Sequence, residues 1–199
     1  DSQTTWVYLN LDVNIHDFKF WMAHELGHCL SPSLKGDEAE DFADELAGAL
    51  LFPEQRAKQA YEEIKKESSK SAKINRVLKI AQDFIISPYT VYKQVNKYAE
   101  HANFELLDLD FHGAIANFNK GYCNVSETLF GKIESLESSD YIKKTKDVFE
   151  TPFFDVLANY LKEHNKGAGI VQSIMDVSLL DSQSIHNELA YNGAIENIN

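Results

Sequence analysis

The sequence predicts a mainly helical α+β protein with a small β-sheet. Apolar residues recur at helical spacing over most of the 199 residues, one early stretch alternates instead, and turn residues cut the chain into short segments. Hydrophobic residues form 44% of the chain and aromatics 12%, so it can bury a sizeable core.

The alternating stretch is "WVYLNLDV", residues 6–13, with Val7, Leu9, Leu11 and Val13 on one face, a half-buried strand. One strand makes no sheet, so it needs a partner that the sequence does not reveal. Helical spacing follows from about His16 to Leu30, with Phe20, Ala23, Leu26 and Gly27 on one stripe and His24 and His28 one turn apart. "SPSLKG" ends that helix, and Asp37 reads as the N-cap of a second one running to about Phe52, stopped by Pro53. Its buried stripe is expected to be Ala39, Phe42, Ala43, Leu46, Ala47, Leu50 and Leu51. A third helix covers Glu54 to Glu67. Two more lie within 73–100, joined around "IISPY", with Ser87 as cap and Pro88 in the first turn, a helix-turn-helix-like unit. The remainder reads as helices broken near Gly113, Gly121, Pro152 and "NKGAG", with the last residues, 191–199, expected to fray.

The formal net charge of −12 opposes general affinity for nucleic acid. Its distribution is uneven, because residues 56–98 carry ten basic and four acidic side chains, a local +6 against −18 elsewhere. That asymmetry suits an internal docking surface, a partner site or a solvated helix face. Cys29 and Cys123 give no disulfide framework and fit a reducing cytoplasm. No apolar run approaches the ~18 residues that span a bilayer. The chain starts at Asp1 rather than Met, which suggests a trimmed N-terminus, with signal-peptide cleavage as the rival explanation.

The chemistry concentrates in "AHELGH". Residues four apart share a helix face, so His24 and His28 can aim two imidazoles at one point. Zinc accepts neutral imidazole at ~2.0–2.1 Å and, for catalysis, takes three protein ligands and keeps one open position. Glu25, offset around the helix, could act as general base toward water without ligating the metal. Five letters are a weak signal alone. Gly27 adds to it, since a mid-helix glycine implies another backbone packed close by. So does the acidic second helix, where spacing leaves Glu38, Glu40 and Asp44 open as the third ligand.

"FKFWMAHELGH" followed by "EDFADELAGALLFP" resembles the ImmA/IrrE family of metallopeptidases. The second motif, E-x-x-A-(N/D)-x-x-A-x-x-L-L-x-P, is met by Glu40, Ala43, Asp44, Ala47, Leu50, Leu51 and Pro53. The resemblance implies one zinc ion held by His24, His28 and Glu40, with Glu25 as the catalytic glutamate. "IAQDFIISPYTVYKQV", residues 80–95, matches a further family segment loosely, with Lys93 or Gln94 where an Arg is common. It implies a zincin-like metallopeptidase core over residues 1–67, before the helix-turn-helix-like segment 68–101 and a helical region 102–199 of unassigned role.

The resemblance further implies a cytoplasmic zinc endopeptidase that cleaves a regulatory protein, a helix-turn-helix repressor of phage, mobile-element or stress-response genes. The alternative is a silent peptidase-like module that docks a repressor or toxin partner, and a third reading is a DNA-binding regulator. Direct nucleic-acid binding and membrane association are not expected. The remaining histidines, 16, 101, 112, 164 and 186, read as ordinary residues, and Cys29 as a buried thiol rather than a ligand.

Overall fold

Asn14 starts the first helix by supplying what its opening turn lacks. Its side-chain oxygen accepts from the backbone N–H groups of His16 and Asp17, and its amide donates to the Asp17 carboxylate. From there α1 (Ile15–Leu30) runs to Ser31, whose N–H and hydroxyl both donate to the Gly27 carbonyl. The computed structural model describes residues 5–131 and 136–195, without the side chains of 192–195. The chain divides into two compact units, one ending at Thr128 and one beginning at Leu129.

In the first unit α2 (Asp37–Leu51) opens at Gly36, whose φ of +57° suits a residue without Cβ. Asp37 is therefore the first helical residue rather than the cap, and Asp37, Glu38 and Glu40 lie at the positive end of the helix dipole. The approach of α1 to α2 is close. A Cβ added to Gly27 would stand 2.7 Å from the Ala43 Cα, a gap no side chain can share. Only small residues fit this contact, so Ala39, Ala43, Ala47 and Gly48 are buried while Phe42 and Leu50, expected in the stripe, are exposed. Leu26 on α1 is exposed for the same reason.

The helices α3 (Glu54–Lys66), α4 (Lys70–Phe84) and α5 (Pro88–His101) follow the predicted segments, and Ser69 caps α4 by accepting from the Ala72 N–H. They enclose a core in which Phe52, Ile64, Val77, Ile86, Val91 and Val95 are fully buried. The segment after α5 is tied across it: Tyr61 donates to the Glu105 carbonyl, and Tyr92 and Asn96 both donate to the Leu107 carbonyl. Two short helices follow, α6 (His112–Asn119) and α7 (Val125–Phe130), and the division between the units falls within α7. The second unit holds α8 (Ser138–Phe149), α9 (Phe153–Glu163), α10 (Ala168–Met175) and α11 (Leu179–Ile195) around Ile142, Phe154, Leu157, Leu161, Val171 and Leu189. Since α11 continues to Ile195, fraying does not begin at 191, and residues 196–199 lie outside the described residues.

The expected small sheet is a correction: the fold is mainly α, with no strand among the described residues. The stretch Trp6–Val13 alternates, but its neighbour is the start of α7 rather than another strand. Val125 donates to the Val13 carbonyl, Ser126 donates to the Leu11 carbonyl, and a single bridge joins Asn14 to Asn124. A helix start offers only its first free N–H groups, so pairing ends after one bridge. Among the described residues no helix is long and apolar enough to cross a membrane.

His16 is sealed in the first unit, edge-on to the rings of Phe118 and Tyr122 at centroid distances of 4.9 and 4.3 Å. Its Nδ1 has no hydrogen-bond partner there. Desolvation pulls its pKa below the ordinary 6.5, Lys19 adds to that, and Asp17 opposes it. A depressed histidine pKa means the unfolded chain binds the proton more readily, so stability is held above pH 6.5 and lost as pH falls below it. His16→Leu is therefore expected to lose less stability than the parent chain between neutral and mildly acidic pH, read from urea midpoints. Gly27→Ala is expected to lower the urea midpoint by the equivalent of about 1–3 kcal/mol, since the obstacle is backbone.

Candidate metal centre

Two turns of α1 and the first turn of α2 meet where Gly27 lets the helices approach. The Nε2 atoms of His24 and His28 face each other at 3.0 Å. Glu40 brings one carboxylate oxygen to 3.3 Å from His24 Nε2 and the other to 3.5 Å from His28 Nε2. These three form the group that could hold a metal ion among the described residues. Of the acids that spacing left open, Glu40 reaches both inner nitrogens, Asp44 reaches only the outer nitrogen of His24, and Glu38 has no contact with either histidine.

Asp44 does something the sequence alone did not assign to it. Its Oδ1 stands 3.0 Å from His24 Nδ1, and a carboxylate there favours the tautomer with the proton on Nδ1. His24 then presents Nε2 as a bare lone pair toward Glu40 and His28. The other Asp44 oxygen accepts from Lys93 Nζ on α5 at 3.0 Å. One turn further along α5, Lys97 donates to Glu45, whose carboxyl it holds below the usual range. The signal for Asp44 was present in its spacing, four residues after Glu40 and so on the same helix face. The signal for Lys93 was not, since the pair is 49 residues apart.

Burial grades across the group. The His24 side chain is 6% exposed and sits edge-on to Trp21 at 5.4 Å, whereas the Glu40 side chain is 64% exposed. The group thus has an inner wall and an open outer side. Glu25 is half-buried on α1. Cys29 is half-buried rather than fully buried and lies outside the group. Of the three tyrosines on α5, Tyr92 spends its hydroxyl on Leu107, Tyr98 packs on Tyr61, and Tyr89 is exposed.

Residues 1–96 match the sequence profile of the IrrE N-terminal-like domain of the M78 peptidases. The match spans just under half of the chain, from residue 1 to residue 96. The match includes His24, Glu25, His28, Glu40, Asp44 and Lys93 and stops inside α5. No curated protein and no solved structure matches the chain.

The match to M78 peptidases suggests a metallopeptidase, and the donor set can be checked against zinc. Imidazole and carboxylate donors at ~2.0–2.2 Å in a tetrahedral shell stand about 3.4 Å from one another. In this group the two nitrogens stand 3.0 Å apart, each is 3.3–3.5 Å from a different Glu40 oxygen, and one donor atom from each residue lies within 4.8 Å of the others. Two imidazole nitrogens and a carboxylate aimed at one spot need a proton or a cation between them, and this donor chemistry fits the ion. Removing the Asp44 carboxylate frees His24 to take the other tautomer. Asp44→Ala is expected to weaken zinc binding about 10–100-fold in chelator competition, and Lys93→Met, acting through Asp44, to weaken it less.

Proposed function

We propose that this chain is a zinc-dependent endopeptidase acting on a regulatory protein. The carrying observation is the convergence of His24, His28 and Glu40 inside the segment that matches a peptidase family. When bound, zinc would act as a Lewis acid on the scissile carbonyl. The chain's own residues do the rest. Glu25 follows His24 directly, and its carboxylate takes a proton from the attacking water and passes it to the departing amine. Asp44 keeps His24 in the ligating tautomer, and Lys93 keeps Asp44 in place.

The open side at Glu40 allows a polypeptide to lie across the group, and the exposed rings of Trp21 and Tyr89 offer it apolar contact. The strand expected at Trp6–Val13 does not form, so it plays no part in this reading. A protein substrate is favoured over nucleic acid by the use of the basic side chains. Lys65, Lys70, Arg76, Lys79, Lys93 and Lys97 each pair with an acid of the same unit, which removes six of the ten cations of residues 56–98 from phosphate contact. A repressor with a helix-turn-helix domain is the substrate class that the family resemblance supports. Both cysteines are free, in keeping with a cytoplasmic setting.

Glu25→Gln removes the base and no ligand. It is expected to retain zinc while losing about 10²–10⁴ in cleavage rate on a proteome-derived peptide library read by mass spectrometry. Equal rates for Glu25→Gln and the parent would leave the chain a docking module.

A further inference from the structure

Beside the metal group, within the first unit, α1, α2, α5 and α6 surround a cavity of about 540 Å³. We propose that this cavity is a subsite for one side chain of the cleaved polypeptide and that it selects tyrosine. This rests on the peptidase reading and adds the specificity that the metal group by itself lacks.

Location comes first. Asp44 lines the cavity and also contacts His24, and Trp21, another wall, packs against the same imidazole. A side chain in the cavity therefore belongs to a residue next to the bond at the metal group. The walls are largely apolar, with Phe20, Trp21 and Ile115 among them. Lys93 neutralises Asp44, while Asp17 keeps its charge and accepts from the Asn14 and Asn119 amides. An anionic side chain would lose its hydration without gaining a free counter-ion.

The polar lining decides the occupant. Ser87, Thr90 and Gln94 line the cavity and are only 8%, 4% and 8% exposed. None of their side chains makes a hydrogen bond to another described residue, although Ser87 stands at the N-cap of α5, where it could cap the helix. Gln94 reaches the cavity because residue 48 is glycine, since a Cβ there would collide with its amide. Two hydroxyls and an amide without partners, under aromatic walls, match a side chain with a flat apolar body and a hydroxyl tip that both donates and accepts. Phenylalanine would displace their water and leave them unpaired. A site built to bond a hydroxyl rejects the analogue without it.

The test has two arms on the full chain. In the metal-free protein, N-acetyl-tyrosine amide is expected to bind about tenfold more tightly than N-acetyl-phenylalanine amide, followed by ligand NMR line broadening. The preference should vanish in Thr90→Val/Gln94→Leu while the phenylalanine compound still binds, and it should survive in Thr90→Ser. Equal affinity for the two compounds, or a preference that persists in the double variant, overturns the proposal. In the zinc-loaded protein, cleaved library peptides should carry tyrosine at one position beside the cut, with enrichment falling about fivefold or more in the double variant. Cleavage with no tyrosine preference there overturns the subsite. Tyrosine-amide binding without any cleavage supports the cavity's selectivity and overturns the peptidase reading beneath it.

Discussion

The candidate site depends on how closely α1 and α2 approach. At Gly27 the backbone of one helix stands against Ala43 of the other with no room for a side chain between. Helix axes normally lie 8–10 Å apart, set by the side chains at the contact, and glycine against alanine gives the near end of that range. Only at such separation can a glutamate on the first turn of α2 reach two imidazoles on α1. A larger residue at either position would move Glu40 outward, and the donors would no longer share one point. The glycine lowers the intrinsic stability of α1 by roughly 1 kcal/mol relative to alanine, yet it fixes the geometry of three donors.

The second constraint is electrostatic and comes from α5. Surface ion pairs contribute little on their own, and Lys93–Asp44 is half exposed, so its effect on stability is small. Its importance lies in direction rather than strength. With one Asp44 oxygen held by the ammonium, the other stays on the imidazole nitrogen that must not ligate. A modest pair thereby sets the tautomer of the most buried group in the site, where a wrongly placed proton would cost far more than the pair itself contributes. Lys97–Glu45 repeats the link one turn along, so α5 is fastened to α2 at two successive turns.

What could be read from the sequence followed the range of each interaction. His24, Glu25 and His28 lie within one helical turn and a half, so periodicity alone brought them to one region, and Gly27 signalled the tight contact before its partner was known. Spacing could not choose between Glu40 and Asp44, because residues four apart share a face. The choice depends on which imidazole nitrogen each reaches, a matter of tertiary placement. Lys93 was visible only as a departure from a family pattern. The strand at Trp6–Val13 failed for the opposite reason: alternation describes one segment, while a sheet is a property of two, and the neighbour it meets is a helix start. The apolar stripe of α2 was drawn too wide because hydrophobicity ranked Phe42 and Leu50 as core, whereas the contact selected residues by size.

The sequence of α5 shows how one helix serves two demands. Val91, Val95 and Ala99 recur at fourfold spacing and are wholly buried in the core of the first unit. Thr90, Lys93 and Gln94 lie on the adjoining face toward the cavity and Asp44. If stability alone had shaped that face, apolar residues would fill it, since a hydroxyl or amide that faces the cavity adds no hydrogen bond within the chain. The hydroxyls and amide persist beside a helix that is otherwise packed to exclusion, and they sit within reach of the residue that orients His24. Local departures from good packing are expected where a surface must recognise something outside the chain. The same helix thus supplies the rigidity that fixes the metal group and the cavity-facing hydroxyl and amide that a substrate could pair.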